Sequence, residues 1–136
     1  MPAHRINLRG PWKLSPGTSA GPERKVNLPA EWNKLFRSGS GRVRLSRTFH
    51  CPTNLGADEV VELVFENWPG PWFISLNQQP IAEFCDASAE LPRRIDVTRL
   101  LAPTNTLTAE TDLAPESGRG SLSGPFGLVA LEIRAV

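Results

Sequence analysis

Cysteine and histidine are scarce in this chain of 136 residues, two of each, and their scarcity excludes two kinds of architecture. Cys51 and Cys85 are too few for a crosslinked framework, and no Cys-x-x-Cys spacing is present. Each lies near the end of an extended segment. Both are expected as buried free thiols, with a single disulfide as the alternative in an oxidising compartment. His4 and His50 are distant in sequence, so no tetrahedral zinc site can be assembled from these four residues. No acidic oxygen cluster marks a calcium site. No metal and no cofactor is expected.

An excess of charge of one sign is also missing. Fifteen Lys and Arg stand against fourteen Asp and Glu, for a net charge of +1. Nucleic-acid binding needs a concentrated basic patch. The nearest approach is Arg42, Arg44 and Arg47, which an alternating strand places partly on its wet face. Neither a nucleic-acid nor a membrane partner is expected. No apolar run approaches the roughly 20 residues of a membrane helix. Residues 1–10 contain no apolar leader core, from which a cytoplasmic location is expected. Sustained helical periodicity is absent too, and thirteen prolines and eleven glycines disfavour long helices.

What remains is period-2 alternation. Val61, Leu63 and Phe65 fall on one face of a strand, with Glu62 and Glu66 opposite. Pro69-Gly70-Pro71 forces a corner. Ile74 and Leu76 then resume an inward face, and Asn77 to Pro80 close the next turn, pairing Phe73–Asn77 with Ile81–Phe84 as a hairpin. Further strands are expected at Ile6–Leu8, Trp12–Leu14, Val43–Phe49, Ile95–Thr98, Asn105–Thr111 and Leu128–Val136, with a brief extended piece at Val26–Pro29. Ala30–Phe36 could form one helical turn, and residues 114–127 make the longest loop. About eight strands in one domain spanning residues 1–136 give an all-β fold, a two-sheet β-sandwich of the jelly-roll kind.

Several segments, in order along the chain, resemble the sugar-binding domain of family 2 glycoside hydrolases. Leu8-Arg9-Gly10-Pro11-Trp12 is similar to the family's leucine-x-glycine-x-tryptophan entry, and Pro29-Ala30-Glu31-Trp32 to its proline-histidine-aspartate-tryptophan segment. Arg47 and Phe49 match an arginine-x-phenylalanine strand. Phe65–Asn77 resembles the stretch ending in leucine-asparagine-glycine, and Asp96–Leu101 with Asn105-Thr106-Leu107 resembles the aspartate-isoleucine-threonine segment. Gly124–Leu131 is similar to the closing glycine-rich strand. The resemblance implies a galactose-binding-like jelly roll. There are departures: Ala30-Glu31 replaces histidine-aspartate, Ala82 stands where glycine is usual, and Gln78 stands where the family's hairpin has glycine. A side chain at positive φ is costly, so a wider, non-primed loop is expected through Gln78-Gln79-Pro80.

The family's catalytic glutamates belong to a separate (β/α)₈ barrel, which needs about 250 residues. Glu59, Glu62 and Glu66 are read as a solvated strand face, and no Ser-His-Asp arrangement can be built around His4 or His50. The chain is therefore expected not to be an enzyme. It is read as a non-catalytic carbohydrate-binding or accessory module. A protein–protein assembly module is the alternative, and a small hydrolase with an unrecognised site is a further one. Sugar binding needs an aromatic platform beside convergent polar groups. Trp12, Trp32 and Trp68 are expected in the core. Trp72, between Pro71 and Phe73, is the candidate platform, with Asn77, Arg47, Glu31 and Asp86 as candidate polar contacts.

Overall fold

The strand with the clearest alternation, Glu59–Glu66, lies at the centre of the smaller of two antiparallel sheets. The computed structural model describes residues 4–16, 23–31, 41–53, 55–68, 71–85, 92–113 and 126–135. These form ten strands: β1 (His4–Asn7), β2 (Trp12–Pro16), β3 (Arg24–Val26), β4 (Gly41–His50), β5 (Glu59–Glu66), β6 (Trp72–Leu76), β7 (Gln79–Phe84), β8 (Arg93–Asp96), β9 (Thr104–Leu113) and β10 (Leu128–Ala135). Nine of these overlap the strands expected from the sequence, and the brief extended piece expected at Val26–Pro29 corresponds to the tenth, β3, three residues long and paired with β2 at a sheet edge. The four-stranded sheet runs β1-β10-β5-β8 and the six-stranded sheet β3-β2-β4-β9-β6-β7. Among the described residues, no helix is long and apolar enough to cross a membrane.

The two sheets face each other through their apolar sides. Val61, Leu63, Phe65, Val129, Leu131 and Ile133 come from the smaller sheet; Leu45, Ile74, Leu76, Leu107 and Ala109 come from the larger. Aromatic rings fill one end of the gap. Trp68 packs edge-on against Trp72 at 5.0 Å between centroids, and Phe126 lies 4.8 Å from Trp68. Phe65 and Phe84 extend the cluster. Burying an indole leaves its N–H in need of an acceptor. Trp12 Nε1 donates to the Leu8 carbonyl at 2.8 Å and Trp68 Nε1 to the Leu128 carbonyl at 3.1 Å.

Polar side chains hold the bends. Asp96 accepts hydrogen bonds from the Thr98 backbone N–H and hydroxyl, while Thr98 Oγ1 accepts from Val61 N. Both side chains cap the turn after β8. Asn105 is buried and satisfied: its amide donates to the Ala102 carbonyl, and its oxygen accepts from Ala102 N and Asn77 Nδ2.

Three local expectations are corrected. The β6–β7 connection is a two-residue turn, with Leu76 paired to Gln79 and both Asn77 (φ 52°) and Gln78 (φ 70°) in the left-handed region. The primed geometry prevails because it matches the twist of the flanking strands. The irregularity expected in the loop appears instead as a bulge further along β7, between the Ile74–Ala82 and Ser75–Pro80 pairs. The cysteines are free, as expected, but they are not buried: Cys51 is half-covered and Cys85 exposed. Finally, Ala30 makes a backbone bridge to Phe126 in place of starting a helical turn. Residues 32–36, including Trp32, lie outside the described residues.

Candidate functional site

Each sheet presents one outer face, and the two faces differ in chemistry. On the six-stranded sheet, register aligns outward residues in rows across the strands. Arg44 of β4 lies opposite Glu110 of β9, which lies opposite Phe73 of β6. The next row is Ser46, Thr108 and Ser75, and beyond it Thr48, Thr106 and the Asn77 corner. Arg44, Ser75, Asn77, Gln78, Thr106, Thr108 and Glu110 line a groove of about 650 Å³, open to solvent. Arg44 Nη2 reaches Glu110 Oε1 at 3.5 Å. Phe73 stands at the rim, 52% exposed, one of two large apolar side chains with substantial exposure among the described residues.

The β6–β7 turn forms the groove's end wall and is clasped to β9. Asn77 N donates to the Thr106 carbonyl, Asn77 Oδ1 accepts from Thr106 N at 2.9 Å, and Asn77 Nδ2 donates to Asn105 Oδ1 at 3.0 Å. The side-chain amide is thus committed to holding the turn. Gln78, next to it at the tip, is exposed and has room to meet a ligand.

The residues expected to form a sugar site do not come together. Trp72 is 0% exposed, with its ring stacked on Phe126 at 5.5 Å between centroids, so its expected exposure is corrected. Ile74 and Leu76 point inward, and counting back by two puts Trp72 inside with them and Phe73 outside. Arg47 also lies on the inward side of β4, between Leu45 and Phe49. Its Nη1 donates to the Thr48 carbonyl at 2.9 Å and its Nη2 to Gly10 O at 3.4 Å, and burial lowers its pKa. Glu31 is exposed beside the Ala30–Phe126 bridge, on a segment separate from the groove. Asp86 lies outside the described residues. Of the groove's lining, sequence reading singled out Asn77 as a site residue and missed Arg44, Ser75, Gln78, Thr106, Thr108 and Glu110, together with Phe73 beside Glu110. Strand alternation was the signal that exposes Phe73; pairing across strands, which it does not contain, brings it to Glu110.

The outer face of the four-stranded sheet carries the facing carboxylates. Glu62 of β5 lies opposite Glu132 of β10. Arg94 bridges them, 2.7 Å from Glu132 Oε1 and 3.6 Å from Glu62 Oε1. Arg134 binds Glu62 at 3.0 Å, and Arg5 binds Glu132 at 3.0 Å and Glu66 at 3.8 Å. Val64 and Ala130, which lie on this outer face, are nonetheless fully covered. The expected solvated Glu face is therefore an ion-pair lattice. Its hydrogen bond from Arg94 holds the Glu132 carboxyl below the usual carboxylate range.

This architecture defines the chain as a two-sheet antiparallel β-sandwich, and solved structures share its fold. It is similar to an FMN-binding β-glucuronidase from Facaelibacterium prausnitzii L2-6, with TM-score 0.76 and 20% identity over 98% of this chain and 23% of that one. It is similar to a β-D-glucuronidase from Dictyoglomus thermophilum, with TM-score 0.72 and 13% identity over 98% of this chain and 28% of that one. A glycoside hydrolase family 2 β-galacturonidase from Eisenbergiella tayi, bound to galacturonate, matches with TM-score 0.66 and 17% identity over 96% of this chain and 24% of its own. The chain thus spans about a quarter of the length of each, and its fold is that of one part of these glycosidases. No protein-family model and no curated protein matches the sequence.

Proposed function

We propose that this chain is a non-catalytic accessory module that works by binding carbohydrate, as a relative of the sugar-binding domain of family 2 glycosidases. The observation that carries the reading is the pairing of that fold with an open polar groove and, beside it on the same sheet face, the exposed ring of Phe73. Carbohydrates present apolar ring faces together with many hydroxyls, and such a surface answers both.

The acids on the opposite face support a non-catalytic role. Retaining glycoside hydrolysis needs two carboxyl groups about 5 Å apart, one of which holds a proton near neutral pH. Glu62 and Glu132 face each other, but Arg94 and Arg5 favour the charged form of Glu132. A carboxylate held ionised is a poor proton donor.

Two measurements on the full chain test this reading. Screening against immobilised glycans is expected to give a saturable signal, and incubation with nitrophenyl glycosides is expected to give no turnover. Turnover abolished by Glu62→Gln or Glu132→Gln would establish catalysis and overturn the proposal.

A further inference from the structure

The geometry points to the outer face of the six-stranded sheet as the binding surface, with Phe73 as its platform and a neutral linear oligosaccharide as its ligand. This inference rests on the accessory-module reading above and names the surface and ligand class. The groove's volume of about 650 Å³ falls within the ~300–1,000 Å³ typical of ligand sites. Its openness suits a chain lying across the strands better than one enclosed sugar.

The polar complement favours an uncharged ligand. Arg44 supplies donors and Glu110 acceptors, and the two are already paired at 3.5 Å. Neighbouring hydroxyls on a sugar can give to one and take from the other. An acidic sugar drawn to Arg44 would also meet Glu110, so the pair rewards hydroxyls more than carboxylates. Ser75, Thr106 and Thr108 add hydroxyls, and Gln78 adds an amide.

Spacing lets the aromatic and the ion pair act together. Arg44, Glu110 and Phe73 occupy successive strands in one row. Two strand spacings separate Arg44 from Phe73, about 10 Å. A sugar ring seated on Phe73 therefore has its neighbour over the ion pair. The wall is set before binding, because Asn77 clasps the turn to Thr106 and Asn105, and a site that is already ordered loses less entropy on binding.

The test is a titration of the ¹⁵N-labelled full chain with β-1,4-linked gluco-, manno- and xylo-oligosaccharides, and with oligogalacturonate as the acidic counterpart. At least one neutral series is expected to give saturable amide shifts centred on Phe73, Ser75, Gln78 and Thr108. Phe73→Ala is expected to weaken that binding about tenfold, the loss of an aromatic contact and its buried area, with an unchanged thermal midpoint. Glu110→Gln is expected to move preference toward oligogalacturonate. Shifts centred instead on the cleft lined by Asn7, Arg9, Asn27 and Leu128, or full affinity in Phe73→Ala, would overturn the surface while sparing the module reading. Tighter binding of oligogalacturonate by the unaltered chain would overturn the ligand class. No shift with any of the four sugars would overturn the ligand and surface assignment, and an empty glycan screen would remove the carbohydrate reading as well.

Discussion

Gln78 is the residue whose backbone is most at odds with its side chain. It sits at φ 70° beside Asn77 at φ 52°. Asparagine tolerates the left-handed region, but for most other residues it costs about 1–2 kcal/mol. Glycine removes that cost and returns part of the gain as unfolded-chain entropy, about 0.5–1 kcal/mol. Gln78→Gly is therefore expected to stabilise the fold by about 0.5–1 kcal/mol, read as a higher urea midpoint with an unchanged slope. Phe73 and Trp72 give a second contrast between adjacent positions. Trp72→Ala is expected to cost about 3–5 kcal/mol, as core aromatic truncations do. Phe73→Ala is expected to stay within about 0.5 kcal/mol of the parent, because the ring is on the surface. Equal destabilisation of the two variants in urea melts would contradict the register described for β6.

At the scale of elements, the outer side of the four-stranded sheet invites a pH experiment. Glu132 is held below the ordinary carboxylate range chiefly by the hydrogen bond from Arg94, and Asp96 by the hydroxyl and N–H of Thr98. A carboxylate with a depressed folded-state pKa contributes stability that is present above its unfolded pKa, about 4.3 for Glu and 3.9 for Asp. That contribution is lost as pH falls through the lower folded value. The urea midpoint is thus expected to hold near neutrality and to fall progressively with acid below about pH 5. Glu132→Gln is expected to flatten that fall. Arg94→Ala is expected to destabilise the fold at pH 7 by about 1 kcal/mol, nearer a surface pair than a buried one because Arg94 is itself half-exposed.

For the whole molecule, the two sheets depend on one shared core, and Trp68 joins them. It follows β5, touches Trp72 of β6 and Phe126, and donates to Leu128 of β10. The sheet edges bring little of their own: β1, β3 and β8 are short, and β7 carries Pro80 and a bulge. Such edges resist pairing with another chain, which weighs against assembly through strand addition.

Alternation by itself determined the all-β class and the inward placing of Val61, Leu63 and Phe65 in β5 and of Ile74 and Leu76 in β6. These rest on local physics, the two-residue period of side chains along a strand. Tertiary structure alone decided which strands lie side by side. Arg44 and Glu110 are distant in the chain and meet only because β4 pairs β9; Phe73 joins them only because β6 flanks β9 on its other side. The same holds for the arginines that neutralise Glu62 and Glu132. In each case the energy lies in contacts between segments far apart in sequence, where no single stretch of residues records the outcome.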